Sequence, residues 1–167
     1  TINTMRGTAM KLSSAKRPIE LSRNYQSFDQ LDGSHPWMKV VPEGAVLYRA
    51  RELQQGEVVF FNYSLAREMG LIPESHPDRM NAQLRERIIS TFSIQIINEY
   101  DELKKIKFDP KTIKPGKYMA TRYLQLQHPS RTGKTSGDGR GIWNGVLQHK
   151  GKIWDVSSRG TGVTCLA

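Results

Sequence analysis

After Pro77, apolar residues return at every fourth position, at Met80, Leu84, Ile88, Phe92 and Ile96, while Asp78, Arg85, Glu86 and Arg87 fall off that stripe. A period near that of the α-helix marks a helix with one buried side. The spacing predicts the longest helix of the chain over residues 77–97, its stripe serving as core. A shorter helix is expected after Val58-Val59-Phe60-Phe61. There Leu65, Ala66 and Met69 share a side, Asn62 has the side-chain oxygen of a helix cap, and Gly70 has the freedom to stop the helix.

The last third alternates instead. Tyr118, Ala120, Arg122 and Leu124 interleave with Met119, Thr121, Tyr123 and Gln125, as in a strand. Residues 142–148 and 152–158 read as a hairpin about His149-Lys150-Gly151, because Gly151 tolerates a positive φ. On its second strand Trp154, Val156 and Ser158 share one face, and Ile153, Asp155, Ser157 and Arg159 the other. Val40 to Tyr48 reads as two short extended pieces around Pro42-Glu43-Gly44, and the charged run Asp101 to Lys107 as a loop or short edge piece before Pro110 and Pro115. Residues 1–35 lack a period and read as an irregular arm, ordered only if it docks. The expected fold is α+β: a twisted, largely antiparallel sheet from about the last 50 residues, with the long helix packed on it, in one domain over residues 36–167.

Composition narrows the class. At 167 residues with 37% apolar and 25% charged, the chain suits one domain with a modest core. No apolar run reaches the roughly 18 residues of a membrane span, and Thr1 to Met10 lacks the apolar core of a secretory signal, which points to the cytosol. Cys165 is the one cysteine and His35, His76, His128 and His149 are scattered, so neither a disulfide nor a zinc-ligand spacing is present. Cys165 reads as a small apolar filler and His128, beside Pro129, as a solvated loop residue.

Charge is uneven. Residues 1–110 hold 15 Lys+Arg against 14 Asp+Glu, and residues 111–167 hold 10 against 2. The last third therefore seeks anions: nucleotide phosphates, nucleic acid or an acidic protein surface. Gly133-Lys134-Thr135 invites a P-loop reading, but that motif needs a glycine where His128 stands, and Pro129 removes an amide donor from the would-be cradle. Gly137-Asp138-Gly139-Arg140-Gly141, the hairpin, and then Arg159-Gly160-Thr161-Gly162 offer other chemistry. Backbone without side chains approaches phosphates closely, and two arginines at adjacent strand ends can grip them through paired hydrogen bonds. The same glycines also suit ordinary tight turns.

The order of these segments resembles the N-terminal part of the selenoprotein O family, kinase-fold proteins that transfer AMP from ATP to protein hydroxyls. That family carries Leu-Gly-Asp-Gly-Arg, a strand pair, then Trp-Asp-Leu-X-Leu-Lys-Gly-X-Gly-X-Thr. This chain has Gly137 to Arg140, then Trp154-Asp155, then Gly160-X-Gly162-X-Thr164. Upstream, Asn62-X-X-Leu65-Ala66-X-X-Met69-Gly70-Leu71 is similar to the family's Asn-X-X-Leu-Ala-X-X-Leu-Gly-Leu. The resemblance implies a kinase-like N-terminal lobe in which Gly137, Gly139 and Arg140 approach the phosphates of ATP. It puts Arg159 where the family has a lysine, exchanging a compact point charge for a planar fork. The family's Gly-His-Gln-Phe-Gly has only Leu126-Gln127-His128-Pro129 in its neighbourhood, and Cys165-Leu166-Ala167 replaces its Pro-Tyr-Ser-Arg.

By the same resemblance, the catalytic Asp, the magnesium ligands and the helix glutamate belong to a second lobe that 167 residues leave no room for. The chain is thus expected to be an ATP-binding lobe, incomplete at its C-terminus, with no catalytic residue or metal ligand of its own. Its partners would be ATP with magnesium, that lobe and the parent's protein substrates. Two other readings stay open. One is a nucleic-acid module stacking bases on Tyr118, Tyr123, Trp143 and Trp154. The other is a ligand-free interaction domain in which Arg140 and Arg159 pair with Asp138 and Asp155.

Overall fold

The computed structural model describes residues 23–53, 55–123, 136–137 and 140–162. It is an α+β fold around a six-stranded, antiparallel sheet. In chain order, a 3-10 helix (Arg23–Gln30) leads to α1 (Trp37–Val40), a 3-10 turn (Pro42–Gly44) and β1 (Ala45–Glu52). Then come α2 (Tyr63–Glu68), α3 (Ala82–Phe92), β2 (Ile94–Ile97) and α4 (Glu99–Leu103). A third 3-10 turn (Pro110–Thr112) precedes β3 (Ile113–Tyr123), β4 (Ser136–Gly137), β5 (Gly141–His149) and β6 (Lys152–Arg159). The spatial order is β2-β1-β3-β5-β6, with β4 paired to β3 off that path. The sheet therefore draws on β1 and β2 as well as on the last third of the chain. Just past β6, Thr161 O accepts from Ile96 N at 2.8 Å, tying the chain to β2 at the far side of the sheet.

The helix expected over residues 77–97 is shorter. Asn81 caps it, its Oδ1 accepting from Leu84 N at 2.8 Å, and it ends at Phe92. Ile94, Ile96 and Ile97 form a strand instead, since branched side chains fit a pleated, buried surface better than a crowded helical turn. The charged run near residue 101 is helical at its start: Asn98 and Asp101 close a reciprocal capping box on α4. The Asn62 cap forms as expected, with Leu65 N 3.0 Å from its Oδ1, and so does the hairpin turn, with Lys150 at φ 47° and Gly151 at φ 77°.

Two apolar clusters lie on one side of the sheet. Tyr48, Ala50, Ile94, Ile96, Tyr118, Ala120 and Ile142 form the first. The second joins Leu147, with Trp154 and Val156 against it, to Leu71, Leu84 and the first 3-10 helix. That helix carries part of the expected arm into the core: Tyr25, Phe28 and Leu31 are buried. It is pinned by the Tyr25 hydroxyl, 2.9 Å from His76 Nε2, and by Arg87, which donates to Tyr25 O and pairs with Asp29. Truncating fully buried Leu84 to Ala is expected to cost about 3 kcal/mol.

From Leu31 the chain passes to the other side of the sheet. Leu31 packs with Leu147, the register partner of Trp154, whereas His35 bonds to Asp155, which points the opposite way from Trp154 on β6. The passage runs where β3 and β5 diverge beyond their Met119–Trp143 pairing. Gly33 N donates to Asn144 O at 2.7 Å, and a Cβ at Gly116 would lie 2.4 Å from Asp32 O. Gly145, at φ 151°, sits beside a register shift in β5, where a Cβ would lie 2.6 Å from Gln30 O. Side-chain-free positions make the gap that this segment fills.

Candidate functional site

The β5–β6 register brings the two arginines singled out by the sequence to one place. Gly141 pairs with Arg159, and Gly160 N donates to Arg140 O at 2.8 Å, so both arginines sit at the open end of the hairpin. Both side chains are exposed. Gly137, three residues before Arg140, pairs with Arg122 through β4. Gly139 and Asp138 lie outside the described residues, as do the Gly133-Lys134-Thr135 run, His128 and Cys165.

The Arg159 side chain makes no hydrogen bond or ion pair with any described residue. Its guanidinium and stem lie over Gly141, where a Cβ would be 2.6 Å from Nη1. The bare glycine thus leaves the room that the arginine occupies. Asp155, weighed as its partner and on the same face of β6, instead meets His35 Nε2 at 3.2 Å.

Arg159, Gly160 and Thr161 line one part of a groove of about 450 Å³. Its apolar walls come from Val58 to Phe60 and from Ile88 and Phe92 of α3. Val59 and Phe60 are 95% and 82% exposed, so this rim is open to solvent. A largely apolar trough with the Arg159 cation and the Glu57 carboxylate on its lining favours a ligand with a flat or apolar body whose anionic end lies toward the arginine. The groove was not readable from sequence: its walls stem from an extended segment, a helix and a strand end far apart along the chain.

Among the four aromatics considered for base stacking, Tyr118 is 1% exposed, and Trp154 packs against the Leu147 cluster. Burial, reinforced by Asp32 and Glu52, pushes the Tyr118 phenol up to about 12. Trp143 is half-buried, and the Tyr123 side chain lies outside the described residues. Among the described residues no group of three or more His, Cys, Asp or Glu side chains is placed to hold a metal ion, and no helix is long and apolar enough to cross a membrane.

Comparison with known proteins adds no neighbour: no protein family, curated protein or solved structure matches the chain.

Proposed function

We propose that this chain is the ATP-binding lobe of a selenoprotein O-like protein adenylyltransferase. In that reading Arg140 and Arg159 hold the phosphates, with Gly137 and Gly139 giving close backbone approach. The observation that carries it is Arg159: an exposed guanidinium, unpaired among the described residues, on the wall of an apolar groove and beside Arg140. A fork of N–H donors orients a polyphosphate as well as binding it, which is what transfer to a hydroxyl needs from this lobe. The reaction would be attack of a target hydroxyl on the α-phosphate, with pyrophosphate leaving. Magnesium, when bound, would neutralise phosphate charge; in this reading its ligands would come from the second lobe that the resemblance implies.

Calorimetric titration of the chain with ATP, with and without magnesium, tests the proposal. Arg159→Ala is expected to weaken ATP binding about 10- to 100-fold, the worth of a charge-assisted contact, and Arg140→Ala by a similar factor. Lys152→Ala, at the other end of the hairpin, should leave affinity unchanged. No heat with ATP, or equal affinities in wild type and both arginine variants, rejects the reading.

A further inference from the structure

The side of the sheet reached by the crossing segment carries a second built feature, independent of the nucleotide reading. Leu47 pairs in register with Met119, and Met119 with Trp143, giving an apolar row across three strands. Trp37 of α1 lies beside it, its ring 6.3 Å from that of Trp143 with the planes inclined at 42°. Between them opens a cavity of about 210 Å³, walled by Trp37, Val41, Ala45, Met119 and Trp143, with Thr121 at its edge. It is shaped as a wedge for one side chain.

The wedge is held open from below. Trp37 N donates to His35 Nδ1 at 3.2 Å, which leaves Nε2 to carry the proton shared with Asp155 at 3.2 Å. The His35 ring meets Trp37 edge-on at 5.7 Å and also contacts Trp143. Trp37 is nonetheless 57% exposed, and Val40, Val41 and Leu47 are 75%, 48% and 45% exposed beside it. Apolar side chains gathered like this on a surface mark an interaction site.

Charge selects the partner. Lys39 on α1 and Arg49, two residues past Leu47 on β1, are exposed and have no ion pair or side-chain hydrogen bond among the described residues. Arg49 lies on the same face of β1 as Leu47, so a cation adjoins the apolar row. A second copy of the chain would bring like charges together, at +9 per chain. A nucleic-acid strand needs a run of phosphate contacts, and Glu43 interrupts the cations here. We infer that this face docks an acidic protein segment that inserts one aromatic or aliphatic side chain between Trp37 and Trp143, its carboxylates meeting Lys39 and Arg49.

Fluorescence anisotropy of the full chain with labelled synthetic decapeptides tests this. The probes are a Glu-rich decamer with one central Phe, the same decamer with Gly at its centre, a Lys-rich decamer with Phe, and a labelled oligothymidylate. The expected result is binding of the acidic Phe peptide, at least about tenfold weaker for both other peptides, and a similar loss with Trp37→Ala, as for an anchor residue. Arg49→Glu should produce a comparable loss by charge reversal alone. Both positions are exposed, and unchanged circular dichroism will show that the variants fold. Equal binding of the Phe and Gly acidic peptides, indifference to Trp37→Ala, displacement of the peptide by the oligothymidylate, or a dimer in sedimentation that Trp37→Ala dissolves would each overturn the inference.

Discussion

At the turn of the β5–β6 hairpin, Lys150 meets Glu74 at 2.5 Å and Lys152 meets Glu68 at 2.7 Å, whereas at the open end Arg159 meets no carboxylate among the described residues. The two ends belong to the same basic third of the chain, yet they differ in chemistry. Near the turn the charge is spent on carboxylates from α2 and the loop after it; at the open end the Arg159 guanidinium remains for something from outside. Net charge over a segment therefore locates a field, and only local pairing shows where an anion would gain by binding.

The largest effect on this contrast is expected from Gly145→Ala, between the two ends. A methyl group there collides with backbone at Gln30 and strains a residue at φ 151°, and neither neighbour is a flexible side-chain tip. A loss of about 3 kcal/mol in urea denaturation is expected, with both ends of the hairpin disturbed together. Next comes alkaline pH. The raised Tyr118 phenol must stay neutral for the fold, so the stability it contributes is complete below pH 10, the ordinary phenol value, and is lost as pH climbs toward about 12. Spectrophotometric titration should show a late step from Tyr118, and Tyr118→Phe should remove both that step and the associated fall in stability.

The smallest effect belongs to the turn itself. Hydrogen bonding and charge from Lys150 hold the Glu74 carboxyl below its ordinary 4.5. A lowered carboxyl contributes stability above that ordinary range and loses it as pH falls through the depressed value. Glu74 is fully exposed, so solvent screens the pair, and Lys150→Ala should leave the neutral-pH denaturation midpoint unchanged while returning Glu74 toward 4.5 in an NMR titration. A large destabilisation by Lys150→Ala would show that the turn end is structurally essential.

The hairpin was legible because turn chemistry and alternation agree over a short span, and with its register Arg140 and Arg159 were brought together correctly. The Asn62 cap was legible for the same local reason. The long helix was overdrawn because a four-residue stripe runs on through Ile96, and periodicity alone does not register that the isoleucines near it favour a strand. Nothing local announced β1 and β2 as partners of the last third, since register across some 60 residues has no sequence period. The groove beside Arg159 and the Trp37 wedge escaped notice for that reason too. Each is assembled from segments whose proximity is decided only when the sheet curls.

The passage of residues 31–35 through the sheet governs how this molecule comes together. His35 and Asp155 are 120 residues apart in the chain, and the backbone between Leu31 and Ser34 fills the opening where β3 leaves β5. Those strands cannot zip shut first and admit the segment later, so assembly waits on a loop closure spanning most of the polypeptide, an entropic toll that makes the seam slow to form. A cleavage just before Trp37 would leave the Tyr25–Leu31 cluster and the threaded segment held in the seam by noncovalent contacts alone.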